Sequence, residues 1–436
     1  MPYLSSAITL DGCFSGVIAD GCAIFKGVPY AKSPTGSLRF EPPVQAEAFE
    51  GVRPADTFPP IAMQHFTDPD GMYRKEFYSN PDFQFPVSED CLYLNIWTPA
   101  QAAGENLPVA VWIHGGGLEH GFAAELEFDG EAYCRKGVIL VTIAYRVNLF
   151  GFLYTEEQEA ALGHSGNQGF LDQIAALKWV HENIRAFGGD PENITLMGQS
   201  AGAISTQVLC FSPLSSPYIK RAILQSGGGL DPVSNLYRTR EQALSVTREV
   251  FRLCGVSSLS ELKKLPAEFL LQKSEELMAL HCELPFRPVI DGYVLPKHPL
   301  DMVKDGMLAK APYIIGSTKD DLFIPKGASY KEGAFYRSAL SYAELCCSIQ
   351  YPPVYVYEFC RDLPGSGDGA FHSSELWYTF GTLNRCWRPM EQKDYELSEE
   401  MVTCWTNFMK TGCPNGTSVP VWAACTPENP VIRTFR

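Results

Sequence analysis

The sequence predicts an α/β fold: a mostly parallel, doubly wound central sheet with helices on both faces. Residues 107–114 and 137–145 are continuous apolar runs without the polar alternation of a strand that has one wet face, so they predict strands covered on both sides. Further strand-like runs alternate with segments of helical period, the order in which parallel strands and crossover helices succeed one another. Between them, at residues 194–205, an apolar β-branched run enters a tight turn with Gly198 and Gly202 on either side of Ser200, and a helix-compatible run leaves it.

Taken in order, the first hundred residues hold short strands broken by Gly and Pro, such as 21–30, which predict an antiparallel edge. The polar, aromatic and irregular stretch 59–86 predicts a surface loop. From 168 to 187 the residues Leu171, Ile174, Ala175, Leu177, Trp179, Val180 and Ile184 recur near helical spacing, and Gly188 and Gly189 stop that helix. Residues 220–227 predict the next strand. From 239 to 279 the pattern is helical, interrupted at Gly255 and Pro266, and is expected to form a helical cap inserted at about 232–300. Strands follow at 311–316 and 353–359, and an amphipathic helix at 398–410 is ended by Gly412. With neither internal repeat nor low-complexity linker, residues 1–436 are read as one domain.

Composition narrows the function. Fifty acidic residues against 35 basic ones and a pI near 5.1 speak against a nucleic-acid partner. The amino terminus has neither a basic region nor a long apolar region, and no window is a charge-free span of membrane length. The chain is therefore expected to be soluble and cytoplasmic, without a membrane partner. Its fourteen cysteines are scattered, with no C-x-x-C pair, and Cys346 beside Cys347 has no metal-site spacing. They are expected to be reduced thiols, and neither a metal nor a cofactor is expected. The Asn193 and Asn415 sequons are idle without export, and the Gly365–Gly369 run lacks the helix of a dinucleotide fingerprint. Monomer and homodimer are equally compatible with the sequence.

The chemistry centres on Ser200. Glycines two positions either side of it permit a turn too sharp for side chains, which would push the serine Oγ out above the sheet edge as a nucleophile. His114-Gly115-Gly116-Gly117 follows the strand 107–114 directly, and bare glycine amides there, those of Gly116 and Gly117, would join the amide of Ala201 as an oxyanion hole. A base must come late in the chain. His372, after the strand 353–359 and a glycine-rich loop, suits that place better than the other seven histidines. The acid orienting it is expected to be Asp321, after the strand 311–316, with Asp320 as its neighbour and Glu375 as the alternative.

These residues together resemble the type-B carboxylesterase and cholinesterase family of α/β-hydrolases. Besides Gly198-Gln199-Ser200-Ala201-Gly202, the run Glu89-Asp90-Cys91-Leu92-Tyr93-Leu94-Asn95 is similar to the family's second signature. Further similar blocks are 27–31, Leu38-Arg39-Phe40, Tyr145-Arg146, Asn167-Gln168-Gly169, Asp172-Gln173 and 405–408. The resemblance implies an α/β-hydrolase fold and cleavage of small-molecule carboxylic esters through an acyl-enzyme. It implies Arg39–Glu89 and Arg146–Asp172 ion pairs, and Leu118, Phe122 and Phe211 as acyl-pocket residues. Departures from the pattern are also expected to matter. Asp321 stands where the family usually has Glu. Gln199 replaces a Glu at a position expected to point away from substrate, and Ala62 stands where secreted relatives carry the disulfide partner of Cys91. An inactive hydrolase-fold binding protein, or an amidase, carbamate hydrolase or lipase using the same site, are the alternative readings.

Overall fold

The computed structural model describes residues 3–65, 70–230, 237–281 and 284–436. Its strands are β1 (Ser6–Ile8), β2 (Cys13–Ser15), β3 (Val17–Ala19), β4 (Cys22–Pro29), β5 (Val52–Pro54), β6 (Tyr93–Thr98), β7 (Leu107–Ile113), β8 (Ile139–Ile143), β9 (Gly189–Gln199), β10 (Arg221–Gln225), β11 (Tyr313–Thr318), β12 (Val354–Phe359) and β13 (Ile432–Phe435). Ten of them form one sheet in the order β13-β12-β11-β10-β9-β7-β8-β6-β4-β3, while β1, β2 and β5 form a small separate sheet. From β13 to β8 all pairings are parallel; from β8 through β6 and β4 to β3 they are antiparallel. The predicted parallel sheet with an antiparallel amino-terminal edge is therefore the observed one.

The continuous apolar runs have a direct explanation. In β7, Val109, Val111 and Ile113 enter the apolar layer on one face of the sheet, whereas Ala110 and Trp112 enter the layer on the other. Leu196 and Met197 of β9, and Leu224 and Ile223 of β10, divide in the same way. Both faces are dry, so neither parity of position can be polar.

The helices follow their local signals. Gln168–Asn183 tightens into a 3₁₀ turn at Ile184–Phe187 and stops at Gly188, whose φ of 85° only glycine adopts at no cost. Between β10 and β11 lie helices Arg240–Cys254, Leu259–Leu262, Ala267–Leu280 and Pro299–Lys304. The first begins in a Thr239–Gln242 capping box and ends at left-handed Gly255, and Pro266 caps the start of the third. Residues 231–236 and 282–283 of the predicted cap lie outside the described residues. No helix among the described residues is long and apolar enough to cross a membrane.

Two local expectations need correction, and one strand has no counterpart among them. The last long helix runs Gln392–Thr411, because a capping box between Glu391 and Asp394 starts it before the apolar stripe begins. β13, half-buried and polar in part, gives no periodic signal and is placed by its pairing with β12. The stretch 59–86 is not a surface loop throughout. It buries Ile61, Ala62, Met63, Gln64 and Phe77 and contains the helix Met72–Phe77; residues 66–69 lie outside the described ones.

The two implied ion pairs are present. Arg39 donates to both Glu89 oxygens, at 2.5 and 2.6 Å, and Arg146 to both Asp172 oxygens, at 2.7 and 2.6 Å, the second pair buried completely. Arg146 thereby ties the chain leaving β8 to the helix Gln168–Asn183, and Arg39 reaches on to the Lys263 and Leu265 carbonyls of the inserted segment.

Candidate active site

Strand order reverses at β7, which has β8 on one side and β9 on the other, and such a crevice at the carboxyl ends of the strands is where open α/β sheets place their sites. Ile113 pairs with Gly198, so the glycine loop after β7 and the turn after β9 start side by side. Ser200 sits in that turn with φ 56° and ψ −124°, a conformation that costs a non-glycine residue about 1–3 kcal/mol. The sheet holds it there: its N–H donates to the Gln225 carbonyl at 2.8 Å, and the helix Ala201–Phe211 begins at the next residue.

The flanking glycines are required by contact as much as by conformation. A Cβ on Gly198 would lie 2.3 Å from the Gly202 carbonyl oxygen, and one on Gly202 would lie 2.1 Å from that of Ile113. Neither neighbour is a side chain that could move aside. Gly202→Ala is therefore expected to cost about 3 kcal/mol or more in urea unfolding; wild-type stability in that variant would contradict this packing.

The loop after β7 turns on Gly116 and Gly117, with φ of 96° and 67°. A Cβ on Gly116 would fall 2.1 Å from the His120 carbonyl oxygen, because the loop folds back with the Glu119 and His120 amides donating to the Gly116 carbonyl. Among the described residues no protein acceptor takes the Gly116 or Gly117 amides. Ala201, first in its helix, presents the third amide. A Cβ on Gly115 would stand 3.3 Å from the Ser200 Cβ, which measures how closely loop and turn approach.

His372 arrives after β12. Its Nδ1 lies 2.5 Å from Asp321 Oδ1, with both side chains almost wholly buried. Phe335 stacks on the imidazole at 5.9 Å, and the Tyr73 hydroxyl donates to the His372 carbonyl at 3.1 Å. The adjacent acids divide the work. Asp320 Oδ2 accepts the Ala370 amide at 2.8 Å and so fastens the loop before His372, while Asp321 accepts the Thr318 and Leu322 amides beside the imidazole. Burial alone would raise the Asp321 carboxyl; the His372 charge and hydrogen bond, Ser226 and the Thr318 amide outweigh it and hold the group below the ordinary aspartate value. The rival carboxyl, Glu375, is buried at the start of the short helix Leu376–Phe380, and burial first and the Asp321 charge second push it up to about 7.

Further support comes from residues with no sequence motif. Arg388 is buried and donates to both Glu76 oxygens, to the Pro364 carbonyl, to Ser366 Oγ and to Asp368. It thus clamps the glycine-rich loop before His372 to the helix Met72–Phe77, which carries Tyr73.

Ser200, Ala201, His372 and Gly115–Gly117 border one cavity of about 290 Å³. Leu118 borders it as the resemblance implied, but Phe122 and Phe211 do not. Phe122 turns into a separate apolar cluster with Ile61 and Phe85, and Phe211, at the far end of its helix, is sealed in the core. Gln199 is also a correction. It lines the cavity, and its Nε2 stands 3.2 Å from His372 Nε2. The physical reason is the turn itself, which presents two consecutive side chains toward the crevice where a flat strand would present one. Unforeseen walls come from Tyr73, Phe77 and Tyr78, from Glu125 and Glu127, and from Leu284, Phe286, Phe323 and Phe335.

The sequence model of the carboxylesterase family matches residues 9–344 and 327–434. The chain belongs to the carboxylesterase family. It is 32% identical to the para-nitrobenzyl esterase of Bacillus subtilis (strain 168), over 94% of this chain and 91% of that protein. To the human cocaine esterase it is 31% identical, over 96% of this chain and 84% of the relative. Among solved structures, a PNB esterase superposes with a TM-score of 0.87 at 30% identity, covering 99% of this chain and 96% of the other. Carboxylesterase EST55 of Geobacillus stearothermophilus gives 0.84 at 33%, again covering 99% and 96%. The fold is that of the α/β-hydrolases, and the chain is a carboxylic-ester hydrolase.

In and around this site several titratable groups are buried, and that has a measurable consequence. Burial raises Glu119 to about 8 and Glu125 to about 7, as it does Glu375. These carboxyls ionise earlier in the unfolded chain than in the fold, so they reduce stability as pH rises above the ordinary carboxylate value of 4.5 and until it passes their folded values. His114 and His120, lowered by burial to about 3 and 4, act in the opposite sense, but only below about 6.5. Between about pH 6.5 and 8 the carboxyls act alone among these groups. The melting temperature is expected to fall across that interval; a rise in a calorimetric scan would contradict it.

Proposed function

We propose that Ser200 is the nucleophile of this esterase, His372 its general base and acid, and Asp321 the group that orients and stabilises the imidazole. The single observation carrying the reading is the convergence of a strained serine, the Asp321–His372 pair and the Gly116–Gly117 loop on one cavity. Ser200 Oγ adds to the ester carbonyl carbon while its proton passes to His372 Nε2, and the oxyanion is received by the Gly116, Gly117 and Ala201 amides. Collapse expels the alcohol, which takes that proton. Water then adds to the acyl-enzyme by the same route and releases the acid, restoring Ser200. Gln199, already at His372 Nε2, sits where this proton moves. Neither metal nor cofactor enters these steps.

Small esters are the substrates in this reading. The chain acts as a single domain, in a cytoplasmic setting, as monomer or homodimer. A reducing compartment is supported by Cys91, a buried free thiol that shares a small cavity with Ala62, where no second cysteine stands among the described residues. The test is covalent. A p-nitrophenyl alkylphosphonate should stop hydrolysis of p-nitrophenyl butyrate and add one phosphonyl group to the peptide containing Ser200, as seen by mass spectrometry. Inactivation with the label on another residue would remove the assignment.

A further inference from the structure

His372 stands at the end of a loop that its own sequence does not stiffen. Three of the seven residues 364–370 are glycine, the residue with most conformational freedom to lose on folding. Asp320 holds the downstream end through the Ala370 amide, and the Leu363 amide closes the loop on the Gly369 carbonyl at 3.1 Å. The middle is held by Arg388, whose side chain is wholly buried and does not border the cavity. Its Nε donates to the two Glu76 oxygens at 3.0 and 2.9 Å; one amino group donates to the Pro364 carbonyl at 3.1 Å and to Ser366 Oγ at 2.5 Å, the other to Asp368 at 2.9 Å. Ser366 Oγ donates in turn to the Asp368 carboxylate. The face of the same guanidinium covers the ring of Phe371, the residue before His372, at 5.2 Å, and Tyr73 meets that ring edge-on at 6.2 Å.

A buried guanidinium costs desolvation that only well-placed partners offset. Here the partners on one side belong to the His372 loop and those on the other to the helix Met72–Phe77, so loop and helix are held as one body. The reaction needs that. His372 Nε2 has to take the proton from Ser200 Oγ and return it to the oxygen of the departing alcohol, while Nδ1 keeps its place 2.5 Å from Asp321. A misplacement of about 1 Å in such a group can cost about 10²-fold in rate. We propose that Arg388 is a positioning residue for the general base, acting through Ser366, Asp368 and Phe371 to fix where His372 Nε2 stands. The inference rests on the reading of His372 as base and acid, and it deepens that reading.

Arg388→Met would strand the buried Glu76 carboxylate, so the test cuts the loop side of the clamp instead. Ser366→Ala/Asp368→Ala leaves the Arg388–Glu76 pair whole, whereas Ser366→Thr/Asp368→Asn keeps a hydroxyl and an acceptor oxygen in place. Each protein is assayed on p-nitrophenyl butyrate and on ethyl butyrate, which share the acyl group. Nitrophenolate leaves without a proton, but ethoxide must receive one from His372. The ratio of kcat/KM for the nitrophenyl ester to that for the ethyl ester is expected to rise about tenfold in the first double variant. In the second it should stay within about twofold of wild type. A smaller folded fraction lowers both rates alike and cancels in the ratio. An unchanged ratio in the first variant, or an equal rise in the second, overturns the proposal. His372→Ala separates this from the reading beneath it. A near-inactive His372→Ala protein beside an unchanged ratio removes the role of the clamp alone. A His372→Ala protein that hydrolyses both esters at the wild-type rate removes the base assignment and the proposal with it.

Discussion

Ser200→Ala is expected to lower kcat for a short-chain p-nitrophenyl ester by about 10⁶-fold, leaving the residual acceleration that an oxyanion hole and binding alone supply. The size follows from what is removed. In the proposed mechanism His372 and Asp321 act only through the Ser200 Oγ, so losing that atom would disable the group as a whole. Folding is expected to be little affected, since Ala201 and Gly202 still start the helix and the 2.8 Å bond from the Ser200 amide to the Gln225 carbonyl is a backbone bond. The strained φ of 56° is no easier for alanine than for serine. Steady-state hydrolysis by the purified variant, beside a thermal melt, checks both parts; turnover near wild type would mean that another residue attacks the ester.

Asp321→Asn should reduce kcat by about 10⁴-fold, because an amide at that position can stabilise the wrong tautomer of His372 and cannot balance the imidazolium. Glu375→Gln should cost less than about tenfold. Glu375 is raised to about 7 by burial and by Asp321, so below that value its protonated carboxyl is already close in charge and shape to a glutamine. The two variants thus separate the candidate acids. If Glu375→Gln gave the large loss and Asp321→Asn the small one, Glu375 would hold the role.

Much of the architecture was legible along the chain because both faces of the central sheet are dry. Runs such as 107–114 and the alternating order of strands and helices have one economical solution. The Ser200 turn and the Gly115–Gly117 loop were legible for a related reason. Close approach of two backbones leaves no room for a Cβ, and that requirement appears in the sequence as glycine. His372 and Asp321 were placed by chain order and by the strands before them. Asp320 and Asp321 could not be told apart in function by position, since only the loop decides which carboxyl meets Nδ1 and which fastens Ala370.

The cavity walls were not legible. Phe122 and Phe211 differ from Phe77 and Phe335 neither in type nor in local pattern, and what sends one pair into the core and the other to the cavity is contact among segments hundreds of residues apart. The same holds for the Arg388–Glu76 clamp and for Gln199. What the sequence determined by itself was whatever depends on periodicity or on the absence of a side chain: the sheet, the serine turn, the glycine loop. Tertiary structure alone decided which side chains line the cavity, Glu125 and Glu127 among them, because burial and partner geometry are properties of an assembled environment and not of any single stretch of chain.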